Sequence, residues 1–112
     1  MRTLIIAEAG VNHDGVLADA HAIVDAAADA GADVVKFQTF RADRLVTASA
    51  ARAAYQVRTT GSDAPQLAML RALELAPEAH VALAAHAAAR GIAFASTAFD
   101  SESLDFLATL QP

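Results

Sequence analysis

Short apolar runs recur along the chain at residues 3–8, 33–38 and 92–96, each bounded by loop-forming residues. Runs of this length, rich in Val, Ile and Phe, predict buried β-strands. Between the first two, Val16, Ala20, Ile23, Ala27 and Ala30 fall on one helical stripe, with Asp19, Asp25 and Asp29 largely off it. A helix over 16–30 follows, closed by Gly31. Residues 9–15 hold two glycines with Asn and Asp, which is turn chemistry. Pro65 and Pro77 suit first helical turns and predict helices over 65–74 and 77–90, with Gly91 ending the second. On the latter, Val81, Ala84, Ala85 and Ala88 form the expected core stripe. Asp100 caps a last helix over 101–110. The stretch from 39 to 65 is mixed and suggests a short helix over 49–57.

Strands alternating with helices imply an α/β fold whose parallel strands are joined by right-handed crossovers. The strands read as apolar on both faces, the pattern of a sheet covered on both sides. Three such strands close nothing, since a parallel barrel takes about 250 residues. The 112 residues are therefore expected to be the N-terminal part of a larger domain.

Composition narrows the function. Hydrophobic residues make up 55% of the chain, which excludes disorder. A net charge of −5 lacks the basic face that nucleic-acid binding requires. No basic amphipathic helix or long apolar run points to a membrane, and residues 1–8 do not resemble a signal peptide, so a cytoplasmic protein is expected. With no cysteine there is no disulfide, thiolate nucleophile or Cys-ligated zinc. Lys36 is the single lysine among eight Lys and Arg residues, which marks it for attention.

Alternate side chains of a strand share a face. Leu4, Ile6 and Glu8 point one way, as do Val34, Lys36 and Gln38, and Ala93, Ala95 and Thr97. Each set ends in a polar group at the carboxyl end of its strand, where parallel α/β folds place their sites. Glu8 also reads as a solvated strand-end carboxylate. Lys36 needs an anion, either Glu8 in a structural ion pair or a phosphate- or carboxylate-bearing ligand. Ser96 and Thr97 double as turn formers. His13 either steadies the turn at 12–15 or contacts a ligand. His21, His80 and His86 lie on predicted helices and are expected to face solvent; no pair has metal-ligand spacing. No glycine-rich nucleotide loop is present.

The stretches IAEAGVNHDG at 6–15, GADVVKFQTF at 31–40, YQ at 55–56 and STAFD at 96–100 resemble, in order and spacing, the sialic acid synthase family, with its pseudaminic and legionaminic acid relatives. The resemblance runs over essentially the whole chain. It implies a (β/α)8 barrel of which residues 1–112 form about three βα units, followed by the rest of the barrel and a C-terminal antifreeze-like domain that completes the partner's site in a homodimer. It implies a transferase that condenses phosphoenolpyruvate with an open-chain N-acylated amino sugar, releasing phosphate. A divalent cation, Mn²⁺ or Mg²⁺, would polarise the sugar aldehyde, its ligands lying beyond residue 112. By motif position Lys36 and Thr97 would contact phosphoenolpyruvate, Glu8 the sugar as a candidate acid/base, and Gln38 the sugar or its acyl group. Ala98 replaces the family's usual proline. Two other readings stand beside this one: a Schiff-base aldolase with Lys36 as nucleophile, and an inactive remnant or assembly module.

Overall fold

A computed structural model describes residues 2–48 and 64–110. The elements run β1 (Ile6–Gly10), α1 (Leu17–Asp29), β2 (Val34–Thr39), α2 (Ala42–Ala48), α3 (Ala64–Leu73), α4 (Pro77–Ala89), β3 (Ala93–Ala98) and α5 (Ser101–Ala108). The predicted helix over 49–57 lies outside the described residues. The strands form one parallel sheet in the order β1-β2-β3. Each strand sits one to three residues later than its apolar run suggests. Before β1, the Asp33 carboxylate accepts from the Ile5 amide at 2.8 Å and pairs with Arg2, anchoring the chain where the ladder begins.

Local chemistry sets the helix ends. Pro77 occupies the first turn of α4, where its missing N–H costs nothing. Asp100 caps α5 by accepting from the Ser103 amide at 2.8 Å. After α1, Gly31 adopts φ +85° and lets the Ala32 amide return to the Ala27 carbonyl at 3.0 Å, which satisfies the open helix end. Helix α2 was not legible in the mixed stretch after residue 39.

The core lies on one face of the sheet. Ala7 and Ala9 of β1, Val35 and Phe37 of β2, and Phe94 of β3 meet Ala20, Val24 and Ala27 of α1 and Ala79, Leu83 and Ala87 of α4. Alanines let the helices approach closely, while Phe37 and Leu83 are the largest fully buried side chains and each contribute about 1.5–3 kcal/mol on burial. Phe37 and Phe94 stack with centroids 5.7 Å apart.

The structure departs from three expectations. The sheet is covered on one face only among the described residues: Ile6, on the other face, is 52% exposed. The buried side of α4 is Ala79, His80, Leu83 and Ala87, whereas Val81 of the expected stripe is exposed. His80 does not face solvent, because polar partners draw it inward. Its Nδ1–H donates to the Ala76 carbonyl at 3.0 Å, leaving Nε2 to accept from the Thr39 hydroxyl at 2.8 Å. Thr39 in turn accepts from Ser96 at 2.6 Å. Burial lowers the His80 pKa below its ordinary 6.5, against the hydrogen bond to Ala76. No helix among the described residues is long and apolar enough to cross a membrane.

Candidate active site

The uncovered face carries the chemistry. Parallel register sets Glu8 beside Lys36, Lys36 beside Ala95, and Gln38 beside Thr97. Neighbouring strands lie about 4.8 Å apart, so these four polar side chains occupy one patch at the carboxyl ends of three strands. Lys36 Nζ stands 3.2 Å from Glu8 Oε2, with both side chains partly exposed. The pair reaches solvent on the face away from α1 and α4. Gln38 and Thr97 make no side-chain hydrogen bond among the described residues, which leaves one amide and one hydroxyl to meet a ligand.

A local irregularity shapes the patch. After Glu8 the register slips, so that Gly10 rather than Ala9 stands opposite Phe37. Such a bulge turns the strand end and re-aims what it carries.

The structure brings Glu8, Lys36, Gln38 and Thr97 together and leaves His13 out. His13 is fully buried on the helical side, its ring centroid 6.0 Å from that of Phe37. Its Nδ1 accepts from the Gly15 amide at 2.8 Å, which fixes the turn before α1. Of the two roles open to it, this geometry supplies the turn. Burial lowers its pKa, with Asp14 opposing and His80 adding to the shift. His86 is half-buried between helices and meets Asp25 Oδ1 at 2.8 Å, away from the sheet face.

No three His, Asp or Glu side chains among the described residues converge to hold a metal ion. On the open face, the carboxylate of Glu8 already engages Lys36. These residues therefore do not by themselves fit a divalent cation. A cavity of about 370 Å³ does open on the helical side, lined by Phe40, Leu75, His80 and Phe106, with Arg41, Glu74 and Glu102 at its edge. It does not coincide with the strand-end patch, since none of Glu8, Lys36, Gln38 and Thr97 lines it.

The sequence model of the NeuB family matches residues 23–112. The N,N'-diacetyllegionaminic acid synthase of Campylobacter jejuni is 52% identical over 95% of this chain, and that of Legionella pneumophila 50% identical over 98%. The chain spans 32% and 31% of their lengths. Among solved structures, the N-acetylneuraminic acid synthetase of Leptospira borgpetersenii matches 96% of the chain with a TM-score of 0.74 and 26% identity. The spore coat polysaccharide biosynthesis protein SpsE of Bacillus subtilis matches 97% with a TM-score of 0.66 and 38% identity. The chain covers 34% and 27% of those two structures.

Proposed function

The chain belongs to the NeuB family, and from that premise we propose that the whole protein is a sugar acid synthase joining phosphoenolpyruvate to an open-chain N-acylated amino sugar. In this reading the described strands are the opening βα units of a (β/α)8 barrel acting in the cytoplasm as part of a homodimer. The higher identity to N,N'-diacetyllegionaminic acid synthases favours an acceptor with two acetamido groups.

The observation that carries the reading is the Lys36–Glu8 pair at 3.2 Å on an open sheet face, flanked by Gln38 and Thr97. An ammonium at a strand end is a receptor for the phosphate or carboxylate of phosphoenolpyruvate, and the Thr97 hydroxyl adds a donor on the next strand but one from Glu8. Gln38 offers its amide to the sugar or its acyl group. C3 of phosphoenolpyruvate forms the new bond to the aldehyde carbon, whose oxygen gains a proton. Water adds at C2, and phosphate leaves. In this reading Glu8 holds or passes that proton on the acceptor side. The family's divalent cation would act on the aldehyde, but the described residues do not fit it, and no step here depends on it.

The aldolase alternative needs Lys36 as a free amine. Its Nζ instead stands 3.2 Å from the Glu8 carboxylate, a charge-pairing geometry that supports the anion-binding role. The test is to incubate the whole protein with phosphoenolpyruvate, Mn²⁺ and either N-acetylmannosamine or its diacetamido counterpart. Acceptor-dependent phosphate release together with a sugar acid product is expected. Borohydride trapping of pyruvate on Lys36, without phosphate release, would overturn the reading.

A further inference from the structure

Gly10 ends β1 in the left-handed region, φ +55°, on the far side of the register slip from Glu8. A Cβ built there would have as its nearest atoms Glu8 Oε1 at 3.4 Å and Gln38 Nε2 at 3.5 Å. A methyl would make ordinary contact with both, and a longer side chain directed between them would press the two apart. Gly10 is itself buried. Lys36 approaches Glu8 through the other carboxylate oxygen, Oε2.

We propose that Gly10 is a positioning residue: its missing side chain sets the spacing between the Glu8 carboxylate and the Gln38 amide, and through them the fit of the amino sugar acceptor. This rests on the synthase reading, in which Glu8 and Gln38 face the acceptor while Lys36 and Thr97 face phosphoenolpyruvate. The bulge delivers the geometry. With Gly10 in place of Ala9 opposite Phe37, the strand end curls so that Gly10 lies between two polar groups on adjacent strands.

Backbone strain and wedging are separable, because Gly31 also has a positive φ, +85°, yet a Cβ there would meet nothing within 4 Å. Alanine at either site brings strain, and at residue 10 it still fits the gap. Asparagine tolerates the left-handed region better, so at residue 10 it wedges with little strain. The experiment compares Gly10→Asn, Gly10→Ala, Gly31→Asn and Gly31→Ala in the whole protein. It measures melting temperature and the KM for phosphoenolpyruvate and for the acceptor (N-acetylmannosamine or its diacetamido counterpart, whichever the wild type turns over faster).

Gly10→Asn is expected to raise the acceptor KM by at least about tenfold, as misplacement of orienting groups does. The phosphoenolpyruvate KM should stay within about twofold, the mark of a loss confined to one substrate. Gly10→Ala should melt lower than Gly10→Asn yet keep the better acceptor KM, and neither Gly31 variant should move either KM. An unchanged acceptor KM in Gly10→Asn, or kinetic losses that track melting temperature across all four variants, would overturn the proposal. A wild type that turns over neither acceptor would overturn the synthase reading beneath it, which is a different and recognisable failure.

Discussion

Lys36 and Glu8 are register partners on adjacent parallel strands, their charged groups 3.2 Å apart on a sheet face that no helix covers among the described residues. With side-chain exposures of 38% and 51%, the pair is solvated enough to contribute only about 0–1 kcal/mol to stability. A lysine kept there for anion binding should therefore be expendable for folding and indispensable for turnover. Lys36→Met in the whole protein is expected to change unfolding free energy by less than about 1 kcal/mol while lowering kcat/KM for phosphoenolpyruvate by at least about a hundredfold, the scale of losing one preorganised donor to a developing anion. Lys36→Arg should not restore it, since the planar fork cannot take the place of a compact point charge. Denaturant melts beside steady-state phosphate release check both halves.

Asp100 joins two parts of the fold. Its carboxylate accepts from the Ser103 amide and hydroxyl, at 2.8 and 2.9 Å, and from the Arg41 amide at 2.8 Å. Partial burial works to raise its pKa, and the hydrogen bonds from Arg41 and Ser103 outweigh it, so the net shift is downward. Asp100→Ala is expected to cost about 1–2 kcal/mol through the lost cap. Asp100→Asn should recover part of that by keeping one acceptor oxygen. A depressed carboxylate contributes stability above its ordinary pKa of 3.8 and loses it as pH falls through the lower folded value. The difference between wild type and Asp100→Ala should therefore shrink at strongly acidic pH, as read by thermal melts.

The buried histidines predict a second, milder acid sensitivity. Burial lowers the pKa of both His13 and His80 below 6.5, so the unfolded chain binds their protons more readily than the folded one. Their contribution is complete above about 6.5 and declines as pH falls from there toward the folded values. His80→Phe should be destabilised at pH 7 by about 0.5–1.5 kcal/mol, because the Thr39 hydroxyl loses the imidazole and keeps only Ser96 as a side-chain partner. It should also melt with a flatter pH dependence than wild type between pH 7 and 5. An equally steep decline in the variant would count against His80 as a source of the effect.

The 112-residue polypeptide alone is expected to release no phosphate from phosphoenolpyruvate when given N-acetylmannosamine and Mn²⁺. Ile6 at 52% and Leu4 at 60% exposure leave the face around Glu8 and Lys36 open to water, which weakens every electrostatic contact a substrate could make there. The described residues also do not converge on a metal ion. A phosphate-release assay above the no-enzyme background would refute this.

The sequence by itself determined the alternation of the three strands with helices α1, α3, α4 and α5, though not α2, and the face of each strand. Period-two alternation is a local property, so Glu8, Lys36, Gln38 and Thr97 fall on one side whatever packs against the sheet. Pro77, Asp100 and Gly31 marked helix ends for equally local reasons. Which side of α4 is buried was another matter. Alanine nearly all round that helix gives it no preferred apolar stripe, so the choice fell to long-range partners, and the Thr39 hydroxyl with the Ala76 carbonyl drew His80 inward where Val81 was expected. The single-sided cover of the sheet was hidden in the same way, because an apolar strand looks alike whether helices or open space lie above it. The slip between Glu8 and Gly10 depends on how β1 meets β2, a pairing between residues far apart in the chain. Only the folded sheet brings the bare Cα of Gly10 to the carboxylate and the amide it separates.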